Sequence, residues 1–582
     1  MIEGRAYQLG ILLVSAVLVS ATLATFFPRV KTVSGVVSNS SGSAVPGAIV
    51  RVKATGTSTL TDADGRFTLE GFDPAIRVRV TSWQEGSCIS GVDAWPWTRT
   101  VRLVLQPYLK SDRTDYDWQP PTTPTRSVAT TWLKRRSLDV AAAVSVDGFY
   151  RPLADWFELG CRDCHSTIYG EWNQSAHAQG VNNIRFMTMY NGTSIDGSQS
   201  PPTRFVTRRD YGRVSIPPDP NRSYFGPGYK LDFPSNPGNC ATCHLPTLKA
   251  KSSPYADSNH ASGLDSQGTH CDFCHKISNV VLEPKTGAPY DNRPGMLSIE
   301  LTRPGVGTDI FFGPYDDVDF GRDTYLPLIQ ESEICAPCHS ASFWRVPIYE
   351  SFTEWQASTY SAEGQTCQTC HMRPDGITTN FAPRRGGVER DPDDIATHAF
   401  PGASSKALLQ EAAELAVNTT QANGQLVVDV SVTNSRAGHH LPTGSPLRQI
   451  FLVLTAIDEQ GQMLPLVTGP MLPDWAGDLE GFPGVYFAKI LQQIWTGEMP
   501  TASYWTPTRL VEDTRLPARV TRSARFTFIS PRLGGTTISA RLIYRRAYYR
   551  LMQQKNWDVA DILMENEVVS LADSDFGREY LQ

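Results

Sequence analysis

Five times between Cys161 and His371 the chain reads C-x-x-C-H: Cys161-Arg-Asp-Cys164-His165, Cys240-Ala-Thr-Cys243-His244, Cys271-Asp-Phe-Cys274-His275, Cys335-Ala-Pro-Cys338-His339 and Cys367-Gln-Thr-Cys370-His371. Two thiols at this spacing can add to the two vinyl groups of a haem, and the histidine that follows can bind its iron. A zinc ribbon or a redox C-x-x-C needs no histidine at that place. Histidine is 11 of 582 residues, so composition does not explain five matches out of five. The motifs use ten of the eleven cysteines, which leaves no disulfide framework. The remaining one, Cys88, reads as a small buried residue in a strand. Five covalently bound haem c groups are expected, and their attachment implies an extracytoplasmic protein.

An iron with two histidines has no open position for a substrate, so the supply of histidine bears on function. Five are proximal by position: His165, His244, His275, His339 and His371. Six remain, and His177, His260, His270, His398 and His439 are the expected distal ligands, with His440 the alternate for His439. His398 in Thr397-His-Ala-Phe-Pro-Gly402 and His439 in Gly438-His-His-Leu-Pro-Thr-Gly444 sit in Pro/Gly turns that can hold an imidazole at a fixed angle. His270 directly precedes Cys271 and should serve a neighbouring haem. Methionine is a further possible distal ligand. An internal repeat, Glu171-Trp172-x-x-Ser175-x-His177 and Glu354-Trp355-x-x-Ser358-x-Tyr360, puts Tyr360 where the first copy has histidine and suggests that each Trp packs on a haem face.

These residues resemble the multihaem cytochrome c superfamily that includes hydroxylamine oxidoreductase, pentahaem nitrite reductase and small electron-transfer cytochromes. The likeness rests on Glu-Trp-x-x-Ser-x-His177, on Gly364-Gln-Thr-Cys-Gln-Thr-Cys-His-Met372 and on His398-Ala-Phe-Pro-Gly. It implies haems in close parallel or perpendicular pairs. No motif is C-x-x-C-K, the variant used by the catalytic haem of the nitrite reductases, which puts nitrite reduction in doubt.

The elements that must position these residues divide a chain too long for one core. The expected fold class is multidomain: an N-terminal transmembrane helix, a small β-sandwich, a mainly α and irregular multihaem domain, and a C-terminal β-rich sandwich-like domain. Residues 1–31 contain Tyr7–Phe27, an uncharged run long enough to span a bilayer. A retained anchor is favoured over a cleaved signal, since the apolar run is long and no good cleavage site follows it. Residues 32–106 alternate with period two between Ser, Gly, Pro and Asp clusters. Val36-Val, Val45-Pro-Gly47-Ala and Thr61-Asp-Ala-Asp-Gly-Arg-Phe67 there resemble the carboxypeptidase regulatory-like domain, which implies a spacer or docking module. Asp62–Gly65 reads as a hairpin turn rather than a calcium loop.

Residues 107–145, rich in Pro and Thr, are expected to be a semi-extended linker holding the next domain away from the membrane. Residues 146–406 give roughly 52 residues to each motif. That is too few for a separate core around each macrocycle, so the porphyrins should be the core. Residues 407–546 return to β alternation and resemble the sandwich-like tail of many secreted multihaem cytochromes. That resemblance implies that the His439 turn reaches back to an iron. Arg448 is a candidate partner for a propionate. Residues 547–582 are expected to be a helical tail.

A net charge of −6 without a basic tract argues against nucleic acid as a partner. With two histidines on every iron, the protein is a membrane-anchored electron carrier between redox partner proteins and not an enzyme. If one distal side is empty, it is a reductase of a nitrogen or sulfur oxyanion. If an imidazole ligates the next subunit, it is a unit of an oligomer or haem filament.

Overall fold

The computed structural model describes residues 31–122 and 160–571, apart from 74, 252–254, 306–308, 385–386, 423 and 530–534. The expected membrane helix at Tyr7–Phe27 lies outside the described residues, and so does the linker beyond residue 122. Among the described residues, no helix is long and apolar enough to cross a membrane.

Alternating apolar residues build the N-terminal unit as two four-stranded sheets face to face. One runs Arg66–Glu70, Thr32–Asn39, Thr100–Pro107, Ser87–Cys88, and the other Ser58–Leu60, Ile49–Val52, Val78–Trp83, Ser90–Ala94. Every second residue of Arg66–Glu70 and Thr100–Pro107 points inward. Val33, Val37, Val50, Phe67, Val80 and Leu103 fill the space between the sheets. Cys88 is buried in its strand. The Asp62–Gly65 turn is closed by the Asp62 side chain, which accepts the N–H groups of Asp64 and Arg66.

This sandwich is not held at a distance. Arg51 pairs with Asp316 at 2.7 Å, Lys53 and Arg79 both pair with Asp319, and Trp83 Nε1 donates to the Thr324 hydroxyl at 3.0 Å. The approach at Asp319 is so close that only a glycine hydrogen fits at Gly91. The described part of the expected linker is packed as well. Trp118 is buried against Phe273, and Tyr116 Oη and the Gln119 N–H donate to Asp272 at 3.1 and 2.7 Å. Its Pro-rich composition suggests an extended spacer, but a buried tryptophan and a buried carboxylate acceptor fix this stretch to the protein surface.

Residues 160–412 hold short helices of four to nine residues joined by loops. Each motif forms one helical turn: Cys161–Cys164, Ala241–His244, Cys271–Cys274, Ala336–His339 and Cys367–His371. In such a turn residues three apart share a face, so both thiols point the same way. The two longest helices here, Ser166–Gln174 and Ile184–Asn191, carry Glu171, Trp172 and Phe186. Asn183 caps the second by accepting the Phe186 N–H, and Gly192 ends it at φ 74°.

The C-terminal part is a second sandwich. Its four-stranded sheet runs Ala413–Ala422, Gln425–Asn434, Thr521–Ile529, Leu466–Thr468. Its five-stranded sheet runs Thr508–Asp513, Gly484–Gln493, Gln449–Asp458, Thr536–Arg545, Ile562–Leu571. Val428, Val430, Leu452, Phe526, Phe528 and Ile538 lie between them. Among the described residues of the expected helical tail, 547–571, the helix covers Tyr549–Lys555. Ile562–Leu571 is an edge strand on Thr536–Arg545, where its exposed polar side chains face water.

Candidate haem cavity and axial ligands

Short helices and loops make up most of residues 160–412. They surround a cavity of about 2460 Å³ that extends to the C-terminal sandwich. Ordinary small-molecule sites are about 300–1,000 Å³, so this space is sized for several large ligands. All ten motif cysteines and all five motif histidines line it. So do His177, His270, His398 and His439.

Two histidine pairs face each other across it. The rings of His371 and His439 are 6.3 Å apart and nearly parallel at 16°. Those of His177 and His339 are also 6.3 Å apart, but at 88°. Two imidazoles bonded to one metal at about 2 Å each have ring centres roughly 6 Å apart, with free choice of twist about the bond axis. Both pairs fit that geometry. His398 is electrostatically coupled to His275 first and His165 second.

Backbone carbonyls orient the rings. Nδ1 of His165 donates to Phe381 O at 2.9 Å, that of His275 to Phe312 O at 2.6 Å, that of His371 to Pro401 O at 2.7 Å, and that of His439 to His440 O at 3.0 Å. A carbonyl only accepts, so Nδ1 carries the hydrogen and Nε2 is left as a ligand. Burial brings His177 and His244 down to about 4 and His339 and His398 to about 3, so these imidazoles are neutral at pH 7. The donor set fits haem c: paired thiols, neutral imidazoles and apolar walls.

The motifs are neighbours. Thiols of Cys161 and Cys271, of Cys243 and Cys338, and of Cys335 and Cys367 stand close enough to influence each other's charge, and Cys274 lies near enough to Cys335 and Cys338 to do the same. This proximity runs through all five motifs.

Other expected ligands are placed differently. His260 is exposed on the turn Ser258–His260 and does not line the cavity, which argues against it as a ligand. An isolated loop histidine carries no local sign of which way it will face. His270 is fully buried at the N-cap of Cys271–Cys274, its ring edge-on to Trp118, and its Nδ1 accepts the Phe273 N–H at 3.4 Å. His440 lies outside the cavity lining, its Nδ1 3.7 Å from Glu354. Asn434 donates to the His439 carbonyl at 2.8 Å and so favours His439 as the residue presented to the cavity. Tyr360 lines the cavity and donates to Ser435 O at 2.8 Å. Arg448 also lines it and donates to Thr443 O at 2.7 Å. Trp172 and Trp355 both line it, as the repeat suggests.

Sequence reasoning missed three contributors. Phe186 stacks on the His244 ring at 4.0 Å and 8°, and nothing near residue 186 signals this. Glu171 and Glu354 accept N–H groups of the His398 and His439 turns, and the repeat of Glu before Trp was the available signal.

A family model described as cytochrome c554 and c-prime matches residues 160–200, and one described as carboxypeptidase regulatory-like domain matches residues 32–88. No curated protein matches the chain. Among solved structures it is similar to a penta-heme cytochrome c552 from Thermochromatium tepidum, at 19% identity over 71% of this chain and 97% of that one, with a TM-score of 0.50. A cohesin–X-dockerin complex from Acetivibrio cellulolyticus matches at 17% identity over 16% of this chain and 66% of that one, but its TM-score of 0.12 carries no argument. The five thiol pairs with their histidines and the family match at residues 160–200 mark a multihaem c-type cytochrome region, the match at residues 32–88 a carboxypeptidase regulatory-like domain, and the penta-heme cytochrome shares the fold.

Proposed function

We propose that the chain holds five haem c groups and passes single electrons along them, outside the cytoplasm, between a donor and an acceptor protein. Haem c supplies a one-electron iron couple. The ten motif thiols would anchor the macrocycles, backbone carbonyls hold the imidazoles of His165, His275, His371 and His439, and the apolar walls keep water from the centre. The observation that carries this reading is the pair of 6.3 Å histidine spacings in a cavity lined by every motif. The proximity of the motifs supports a continuous array. The mass of the exported chain tests the count: an excess equal to five haems is expected, and a smaller excess overturns it.

A second reading has one specific observation behind it. Five irons with two histidines each need ten imidazoles, whereas nine line the cavity. One iron is then left to a thioether, for which Met189 and Met372 line the cavity, or has an open distal side. An open iron suits reduction of a nitrogen or sulfur oxyanion. Turnover of nitrite, hydroxylamine or tetrathionate by the purified protein distinguishes it from a pure carrier.

Anchoring to the cytoplasmic membrane through Tyr7–Phe27 belongs to the same proposal. Thr32 pairs with Glu70, and Ser34 with Thr100, at the end of the sandwich where the chain arrives from that segment. The same end exposes Ile76 and the stacked Trp95 and Trp97, with Arg77 over Trp95. Tryptophan, an aliphatic residue and arginine together suit a bilayer interface.

A further inference from the structure

Glu171-Trp172 and Glu354-Trp355 make equivalent contacts at two separate places. The Glu171 carboxylate accepts the backbone N–H of His398 at 2.7 Å, across 227 residues of sequence. The Glu354 carboxylate accepts the backbone N–H of His440 at 3.2 Å, and the Thr443 hydroxyl as well, in the turn that carries His439. The tryptophans behave alike too. Trp172 Nε1 donates to the carbonyl of Thr269, next to His270, and Trp355 Nε1 to the carbonyl of Gln365, two residues before Cys367, both at 2.8 Å. The Thr269 N–H in turn donates to the His177 carbonyl at 2.9 Å.

Both carboxylate-bound turns are irregular Pro/Gly segments in which the His398 and His440 N–H groups have a side-chain oxygen rather than a ladder or helix carbonyl as partner. A side-chain oxygen that reaches across and accepts such an N–H places the turn relative to a helix. The helix Ser166–Gln174 follows directly on the first motif, and Ser351–Gln356 supplies the wall beside His371 and His439.

We propose that Glu171 and Glu354 are positioning residues for the His398 and His439 imidazoles: each carboxylate grips the backbone of the turn and so sets where its imidazole stands over a metal. This rests on the reading of both histidines as axial ligands. Position and tilt of the distal imidazole then depend on a side chain that never touches the iron.

The test uses the haem-loaded full-length protein and the electron paramagnetic resonance spectrum of its oxidised form. Glu171→Gln keeps an oxygen acceptor at the same reach, and its low-spin signals should match the parent's. Glu171→Asp keeps the charge but withdraws the acceptor by one methylene. It should shift the g-values of one low-spin haem, or convert intensity equal to one haem to high spin. A Glu171→Asp spectrum superimposable on the parent's overturns the proposal. So does a Glu171→Gln spectrum as disturbed as that of Glu171→Asp, because charge rather than reach would then be what matters. Haem mass and circular dichroism of both variants establish that they are loaded and folded. A parent protein without bis-imidazole low-spin signals would sink the axial-ligand reading itself, a failure visible before any variant is made.

Discussion

His439 and His440 are adjacent and chemically identical, yet the structure gives them different work. His439 stands 6.3 Å from His371 with its Nδ1 held by a carbonyl, while the His440 N–H is bound by Glu354. His439→Ala should therefore remove one bis-imidazole signal from the oxidised spectrum, and His440→Ala should leave the count unchanged. His260→Ala should also be silent, because that side chain is exposed and outside the cavity. At this scale the proximal set was legible at once, because five residues of contiguous sequence contain both thiols and the ligand. That His177, His398 and His439 would line the cavity was legible from a turn or a repeat, and that His270 would from its place beside Cys271. For His260 the deciding quantity is which way a loop faces, and that is set by packing far away in sequence.

Helix Ser351–Gln356 meets the C-terminal sandwich through a buried charge cluster. Arg515 reaches Glu354, Glu350 and Asp513 at once, and Lys489 reaches Glu350. Burial is the largest single influence and raises the Glu354 carboxyl, but Arg515, His440, the Thr443 hydroxyl and His439 together outweigh it and hold the group below the usual range. Removing one member of such a cluster leaves partners charged and unpaired, which costs about 3–5 kcal/mol. Arg515→Met should lower the unfolding free energy by that amount in denaturant titration, and should disturb the His371–His439 haem before the others. Element types were readable where alternation was clean, as in Arg66–Glu70 and Gln425–Asn434. Ile562–Leu571 was missed because Glu565, Asn566 and Glu567 interrupt its apolar pattern, which an edge strand tolerates and a central one does not. The packed stretch around Trp118 was missed because a Pro-rich composition describes backbone stiffness and says nothing of what a single tryptophan will bury against.

For the whole molecule, the N-terminal sandwich is not a detached spacer. It clamps the loop at residues 309–325, whose inner side lines the cavity. Asp319→Asn weakens the ion pairs to Lys53 and Arg79, and hydrogen exchange across that loop should quicken while exchange in the C-terminal sandwich stays the same. The same loop contains Asp323, whose carboxyl is pushed up to about 8 by burial, with Lys276 and Lys53 pulling it down and Asp319 pushing it further up. Its folded value lies above an unfolded value of about 4, so its stabilising contribution is complete below pH ~4 and is lost as pH rises through about 8. Thermal stability should fall across that interval, and Asp323→Asn should flatten the fall.

The central claim is that paired imidazoles close off most of the irons in one shared cavity. Electron paramagnetic resonance of the fully oxidised, fully loaded protein, with spin quantitation, tests it most directly. Four bis-imidazole low-spin haems and a fifth of different ligation are the expected result, matching nine cavity-lining imidazoles. A spectrum dominated by high-spin iron would contradict the account, and five equivalent bis-imidazole haems would contradict the placement of His260.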